Sequence, residues 1–374
     1  MKEARSVRRR RWRYIALVVF IAALFGGWTW LWQYAAGQAQ AAIDGWRARE
    51  AKAGRIFNCG SQSIRGYPFR IEVECLPASA EFRREQPPFE VRTDRVLVAV
   101  QVYQPNLLIS EISGPLTIAD IDHTPIIVAD WKLGQSSVRG IPSSPERVSF
   151  VFDEPVVKLV NGDPRRPLLR ADHVEVHGRI VEGSAAENPV IQVALQLVKA
   201  SAPAFHPAAG PPVDADITAV MRGLGDFSPK PWDERFRELQ RRGGRIDITQ
   251  ARVRQGDTVA VGSGSLSIDP NGQLRGELDV TVAGLEPFLE RIGAPQMVQR
   301  SPNMDKLAGM LDRLSPGLGD VAREQAGANI AAGINMLGRP ATLEGRQAVT
   351  LPLRLKDGVA FLGPIPLGPT PALF

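Results

Sequence analysis

The chain has 374 residues, 44% of them hydrophobic and 23% charged, enough to bury a sizeable core in one large or two ordinary domains. Its 35 Gly and 30 Pro favour many turns and short strands over a helical bundle. The net charge of +5 comes from Lys2, Arg5, Arg8, Arg9, Arg10, Arg11 and Arg13 set against Glu3, while the remaining 38 basic and 39 acidic residues nearly cancel, which argues against a basic nucleic-acid-binding face on the body of the protein.

Residues 1–32 read as a basic cytoplasmic tip and a transmembrane anchor. Tyr14 to Trp32 is a 19-residue stretch without a charged side chain, about 28 Å long as a helix and so close to the hydrocarbon thickness of a bilayer. Trp12 and Tyr14 at one end, and Trp28, Trp30, Trp32 and Tyr34 at the other, have the pattern of interfacial aromatic belts. The basic end then stays inside and everything beyond Trp32 lies across the membrane. A cleaved signal peptide, with Ala39-Gln40-Ala41 as its site, is the alternative; its apolar core would normally be shorter and poorer in Trp. Residues 33–54 are Ala-rich, with Ile43, Trp46 and Ala53 at helical spacing, and predict a juxtamembrane helix ending at Gly54.

Residues 55–200 predict a duplicated β region. Arg70 to Cys75, Arg92 to Val102, His173 to His177 and Val190 to Val198 all alternate apolar and polar residues. Gly60 to Pro68 matches Gly134 to Pro142, including Ser-x-Arg-Gly-x-Pro at Arg65, Gly66 and Pro68 and again at Arg139, Gly140 and Pro142. The match resumes at Arg70/Arg147 and at Val91 to Val96 against Leu169 to Val174. Each motif should form the turn between two strands, Gly supplying a positive φ and Pro fixing its own. Arg65 and Arg139 would anchor those turns by salt bridges or meet an acidic headgroup. Cys59 and Cys75 are the only cysteines; in an oxidising compartment they would pair across a hairpin, the alternative being two buried thiols.

Residues 201–230, with Pro203, Pro207, Pro211, Pro212 and Pro229, predict a linker or long loop. Residues 231–374 predict an α+β region. Its elements are a short amphipathic helix carrying Trp232, Phe236 and Leu239, strands from Arg245 to Ala283, and a hairpin turn at Asn271-Gly272. Broken helices follow over 285–337, with stripes at Leu307, Met310, Leu311 and Leu314 and at Ile330, Ile334 and Leu337, and last a hairpin around Asp357-Gly358. The fold class expected is mainly β with α, an N-terminal transmembrane helix leading into antiparallel β units.

Signals for chemistry are weak. Phosphate-binding glycine loops, the serine-hydrolase elbow and the zincin motif are missing from the sequence, and Gly262-Ser263-Gly264-Ser265 sits inside a strand pattern as a bulge would. Of His123, His173, His177 and His206, only His173 and His177 share a strand face, with Glu175 between them; a metal site and a plain solvated face both fit. Glu72/Glu74 and Asp120/Asp122 read as solvated strand carboxylates. No cofactor, metal or catalytic residue is expected, and the protein is expected not to be an enzyme.

Cys59, then Gly66-Tyr67-Pro68-Phe69-Arg70 running into Ile71 to Cys75, and Leu351 to Gly358 followed by Phe361 to Leu367, resemble the alphaproteobacterial family known as domain of unknown function 2125. That resemblance implies a protein anchored in the inner membrane through residues 14–32 and facing the periplasm, with no catalytic residues to carry over. The anchor, the repeated strands and Leu274 to Leu278 are similar, more distantly, to AsmA-like envelope proteins, a group associated with outer-membrane assembly and phospholipid transport. Two functions are therefore expected to compete: binding of phospholipid or another apolar ligand in a β-rich groove, or scaffolding of another envelope protein. A fully packed core would give the same period-two pattern as an open groove.

Overall fold

The computed structural model describes residues 3–141, 144–205, 209–228, 230–286, 338–363 and 365–374, with a few positions between 289 and 320. Pro142, His206, Pro207, Pro229, Leu307, Leu311, Leu314, Ile330, Ile334 and Leu337, singled out above, lie outside the described residues. The chain divides into two compact units, the first ending at Pro125 and the second running from Ile126 to Phe374.

The first unit opens with one helix, α1 (Glu3–Lys52), which carries anchor and juxtamembrane segment without a break. Six strands follow: β1 (Arg55–Arg65), β2 (Arg70–Phe82), β3 (Phe89–Thr93), β4 (Val96–Gln101), β5 (Gln104–Ile112) and β6 (Leu116–Asp120). β1 and β2 form a hairpin in which Cys59 and Cys75 are disulfide-bonded, their Cα atoms 5.5 Å apart. β2 then serves two partners, pairing with β4 through Arg70–Cys75 and with β3 through Ala78–Phe82. The single strand expected over Arg92–Val102 is thus two strands with a break at Asp94-Arg95. Thr93 is buried there, its hydroxyl donating to the Ser113 carbonyl, while Arg95 turns out to Glu74 at 2.7 Å.

The second unit begins with β7 (Pro125–Asp130), β8 (Leu133–Arg139), β9 (Arg147–Asp153), β10 (Val156–Leu159), β11 (Leu169–Arg170), β12 (His173–Ser184), β13 (Glu187–Ala200) and β14 (Val213–Arg222). Here the pairing scheme of the first unit recurs. β8 and β9 make the hairpin, β9 pairs with β12, and β10 pairs with β11. The repeat equivalence even carries the register, since Cys75 opposite Val96 becomes Phe152 opposite Val174. Arg65 ends β1 and Gly66 follows it, as Arg139 ends β8 and Gly140 follows it. Both glycines have φ of +103°, and an added Cβ would lie 2.7 Å from the Arg70 carbonyl oxygen in one and 2.1 Å from that of Ser144 in the other. Only glycine fits either turn.

Residues 201–230 are not simply a linker. β14 lies inside them and pairs on both sides, with β13 and with β15 (Arg245–Gln255). Val213 to Arg222 alternates well enough for a strand; the flanking prolines mask it, because they mark the loops on either side. α2 (Trp232–Arg241) follows, and Gly243 ends it at φ +62°, with Gly243 N–H on the Gln240 carbonyl and Gly244 N–H on that of Leu239, a Schellman closure. β16 (Thr258–Ile268), β17 (Leu274–Ala283), β18 (Arg339–Leu343), β19 (Arg346–Lys356), β20 (Val359–Leu362) and β21 (Ile365–Pro369) complete the fold. The bulge falls on β15, between Ile248 and Ala251, opposite the Gly262–Ser265 stretch that was expected to carry it.

Gly66→Ala and Gly140→Ala should each lower unfolding free energy by at least about 1–2 kcal/mol in urea titrations. Gly178→Ala, whose Cβ would meet nothing within 4 Å, should stay within roughly 0.5 kcal/mol. Reducing Cys59–Cys75 should cost about 3 kcal/mol if its loop acts through chain entropy, read as a lower urea midpoint of the first unit.

Candidate apolar binding face

Strand residues directly opposite one another project to the same side of a sheet. In the second unit this lets one row be followed across eight strands. Phe150 on β9 faces Val176, then Leu195, Ile217, Ala251, Gly262, Val280 and, on β19, Leu351. Every member is apolar. The neighbouring row, one residue along each strand, projects to the other side and reads Val151, Glu175, Gln196, Asp216, Arg252, Val261, Thr281 and Thr350. At about 4.8 Å per strand the apolar row is about 34 Å long, on the scale of an extended acyl chain and more.

This face is covered in two places. At one end of the strands β13–β16, α2 and the C-terminus pack Leu224, Leu239, Phe236 and Phe374 against Ile191, Met221, Ile246 and Ile268. A buried network holds α2 in place: Arg235 donates to the carbonyls of Asp226 and Ser228, and Lys230 bridges Asp226 at 2.9 Å and Glu238 at 3.0 Å. The Ser228 hydroxyl and N–H both donate to Asp226 Oδ1, and with Lys230 they hold its carboxyl far below the usual range. Towards β19, Leu285 and Leu289 pack on Val282, Val349 and Leu351. Away from these clusters Val176, Leu195, Ile217 and Ala251 are only half-buried, and Phe150 is 41% exposed. An apolar sheet face normally buries itself under a second layer.

The polar side carries the residues that sequence reasoning considered for a metal. Asp153, His173, Glu175 and His177 form a hydrogen-bonded chain: His173 Nδ1 is 2.6 Å from Asp153, its Nε2 2.7 Å from Glu175 Oε1, and His177 Nε2 2.7 Å from Glu175 Oε2. The carboxylates occupy both ring nitrogens of His173 and Nε2 of His177, and among the described residues no group of three or more His, Cys, Asp or Glu is placed to hold a metal. Glu175 and then Asp153 raise the His173 pKa, and the two imidazoles lower that of Glu175.

The other candidates are distributed along the fold. Glu72 pairs with Arg70 at 2.8 Å, and Glu74 with Arg95 at 2.7 Å and Arg65 at 3.6 Å. Asp120 caps the turn before β7, where its Oδ1 accepts the Thr124 N–H, and His123 in that turn reaches Glu90 at 2.6 Å. Glu90, 3% exposed and held low chiefly by Arg92, escaped the sequence reading because a single carboxylate on a strand shows no sign of burial. Trp232 is 65% exposed and packs at 5.8 Å against Phe236.

The model of one family matches residues 32–371, under the description "Uncharacterized protein conserved in bacteria (DUF2125)". The chain belongs to that family. No curated protein and no solved structure matches it. For this DUF2125 protein, then, the functional reading comes from geometry. α1 is long and apolar enough to cross a membrane, its 18-residue apolar window only 6% buried, and the Cys59–Cys75 disulfide points to an oxidising compartment.

Because its folded pKa is raised, His173 contributes stability that is complete below about pH 6.5 and is lost as pH rises through the folded value. An NMR titration should place its midpoint above that of an unperturbed His. His173→Gln should flatten the fall in stability from pH 6 to 8.

Proposed function

We propose that this protein is a single-pass inner-membrane protein, N-terminus inside, whose periplasmic part binds phospholipid or a similar apolar ligand on the apolar side of its second unit and performs no catalysis. The unbroken apolar row from Phe150 to Leu351, half-buried in its middle, carries this reading. A bilayer anchor supports it by placing the ligand source close by, and the disulfide supports the periplasmic side. Acyl chains suit such a face because they gain roughly 0.8 kcal/mol per buried CH₂ and require no polar partner along their length.

The more distant likeness to AsmA-like envelope proteins accords with lipid handling. Exposed Trp232 beside Phe236 supports a second reading, a scaffold for another envelope protein, since paired aromatics on a helix are common interface anchors.

The full chain in detergent, offered a photoactivatable phospholipid, should be labelled on β9, β12, β13 and β14, with labelling competed by unlabelled lipid. Phe150→Glu, at an exposed position, should reduce that labelling about tenfold or more by placing a charge against the ligand, with the urea midpoint unchanged. Labelling confined to residues 14–32 would remove the reading.

A further inference from the structure

We propose that the first unit docks on the bilayer crossed by its own anchor, and that two hairpin tips carrying Tyr67, Phe69 and Tyr103 enter the headgroup region of the leaflet from which α1 emerges. The inference rests on α1 spanning the membrane. It is independent of the apolar side of the second unit.

The lengths require the chain to return. From Trp32 to Lys52 the helix rises about 30 Å, and the 11 residues of β1 cover about 36 Å in the opposite sense. Contacts mark the whole path back: Glu50 to Arg55 at 2.5 Å, Trp46 on Phe57 at 4.5 Å between ring centroids, and Gln62 donating to Gln40 at 2.7 Å. The β1–β2 turn therefore arrives beside the end of the apolar segment. There Trp28 Nε1 donates to the Pro68 carbonyl at 2.9 Å, Trp32 Nε1 to the Arg70 carbonyl at 2.9 Å, and the Thr29 hydroxyl meets that of Tyr67 at 2.8 Å. Trp28 lies one helical turn inside the Trp32 end of the apolar, aromatic-flanked segment, so the turn it holds lies at the depth where the aromatic belt sits.

The side chains at that level suit a lipid surface. Tyr67 is 47% exposed and Phe69 64%. Beside them the two-residue loop between β4 and β5 presents Tyr103, 75% exposed. Partners within the protein for the backbone polar groups of the turns lower the cost of leaving bulk water. Arg70 N–H reaches the Gly66 carbonyl and Val102 N–H that of Phe69, at 3.1 and 2.9 Å; the Pro68 carbonyl accepts from Trp28, and Pro68 has no N–H. The repeat supplies an internal comparison. The corresponding stretch of the second copy reads Gly140-Ile141-Pro142-Ser143, with neither aromatic. The turn motif is common to both copies, and the aromatic residues belong to the copy that follows the anchor.

The test uses the full chain in liposomes, with an environment-sensitive fluorophore on a single added cysteine in each of four variants. Val18→Cys reports on the bilayer core and Phe69→Cys and Tyr103→Cys on the tips. Glu85→Cys reports on the far end of the hairpin, about 40 Å along β2 from Arg70, and is the solvent reference. Nitroxide-bearing lipids should lower emission about twofold or more at positions 18, 69 and 103 and leave 85 unchanged. Quenching at 18 with none at 69 and 103 overturns the docking while the anchor stands. Absence of quenching at 18 overturns both. Equal quenching at 69 and 85 also overturns it, since the hairpin would then lie flat on the membrane instead of meeting it by its tip.

Discussion

A strand can devote only alternate residues to one environment, and much of this fold rests on keeping that alternation in phase from strand to strand. Pairing between β9 and β19 in the second unit carries Val176, Leu195, Ile217 and Ala251 to one side and Glu175, Gln196, Asp216 and Arg252 to the other. A one-residue slip anywhere would reverse the two sides beyond it. The bulge on β15 absorbs its extra residue locally, and the apolar row resumes at Gly262. The disposition of clusters follows from the same alternation: α2 and the C-terminus pack on the apolar side, while the hydrogen-bonded histidines and carboxylates occupy the polar one.

The first unit answers a different demand. Among its described residues the buried apolar side chains are Trp32, Ala36 and Ala119, a small set for a unit of this size. It is held by the return of β1 along α1, by the Cys59–Cys75 bond, and by ion pairs of Glu74 with Arg65 and Arg95 across β2. Exposed ion pairs add little each; the helix contacts and the cross-link do more to define the geometry.

Local chemistry was legible in the residues themselves. Arg65-Gly66 and Arg139-Gly140 announce their turns because glycine at φ +103° has no substitute, and Asp357-Gly358 announces its hairpin for a similar reason. What escaped depends on partners distant in sequence. β14 between prolines gains its identity from β13 and β15, and Glu90 gains its burial from Arg92 and His123. Trp28 and Trp32 looked like belt residues alone; that their ring N–H groups also hold a hairpin some forty residues away follows only from the match in length between helix and strand. The half-buried middle of the apolar side was equally hidden, since period two is identical for a covered face and an open one.

The order of pairing in the second unit has a consequence for how the protein comes into being. From β12 to β17 each strand bonds to the next in the chain, all antiparallel, through short connections or through α2. Growth of such a sheet needs no late segment to be threaded between earlier ones. A chain delivered from its N-terminus can add each strand to an edge already formed, and Leu373 and Phe374 then reach back to Gly272 and to Arg237 of α2, over strands already in place.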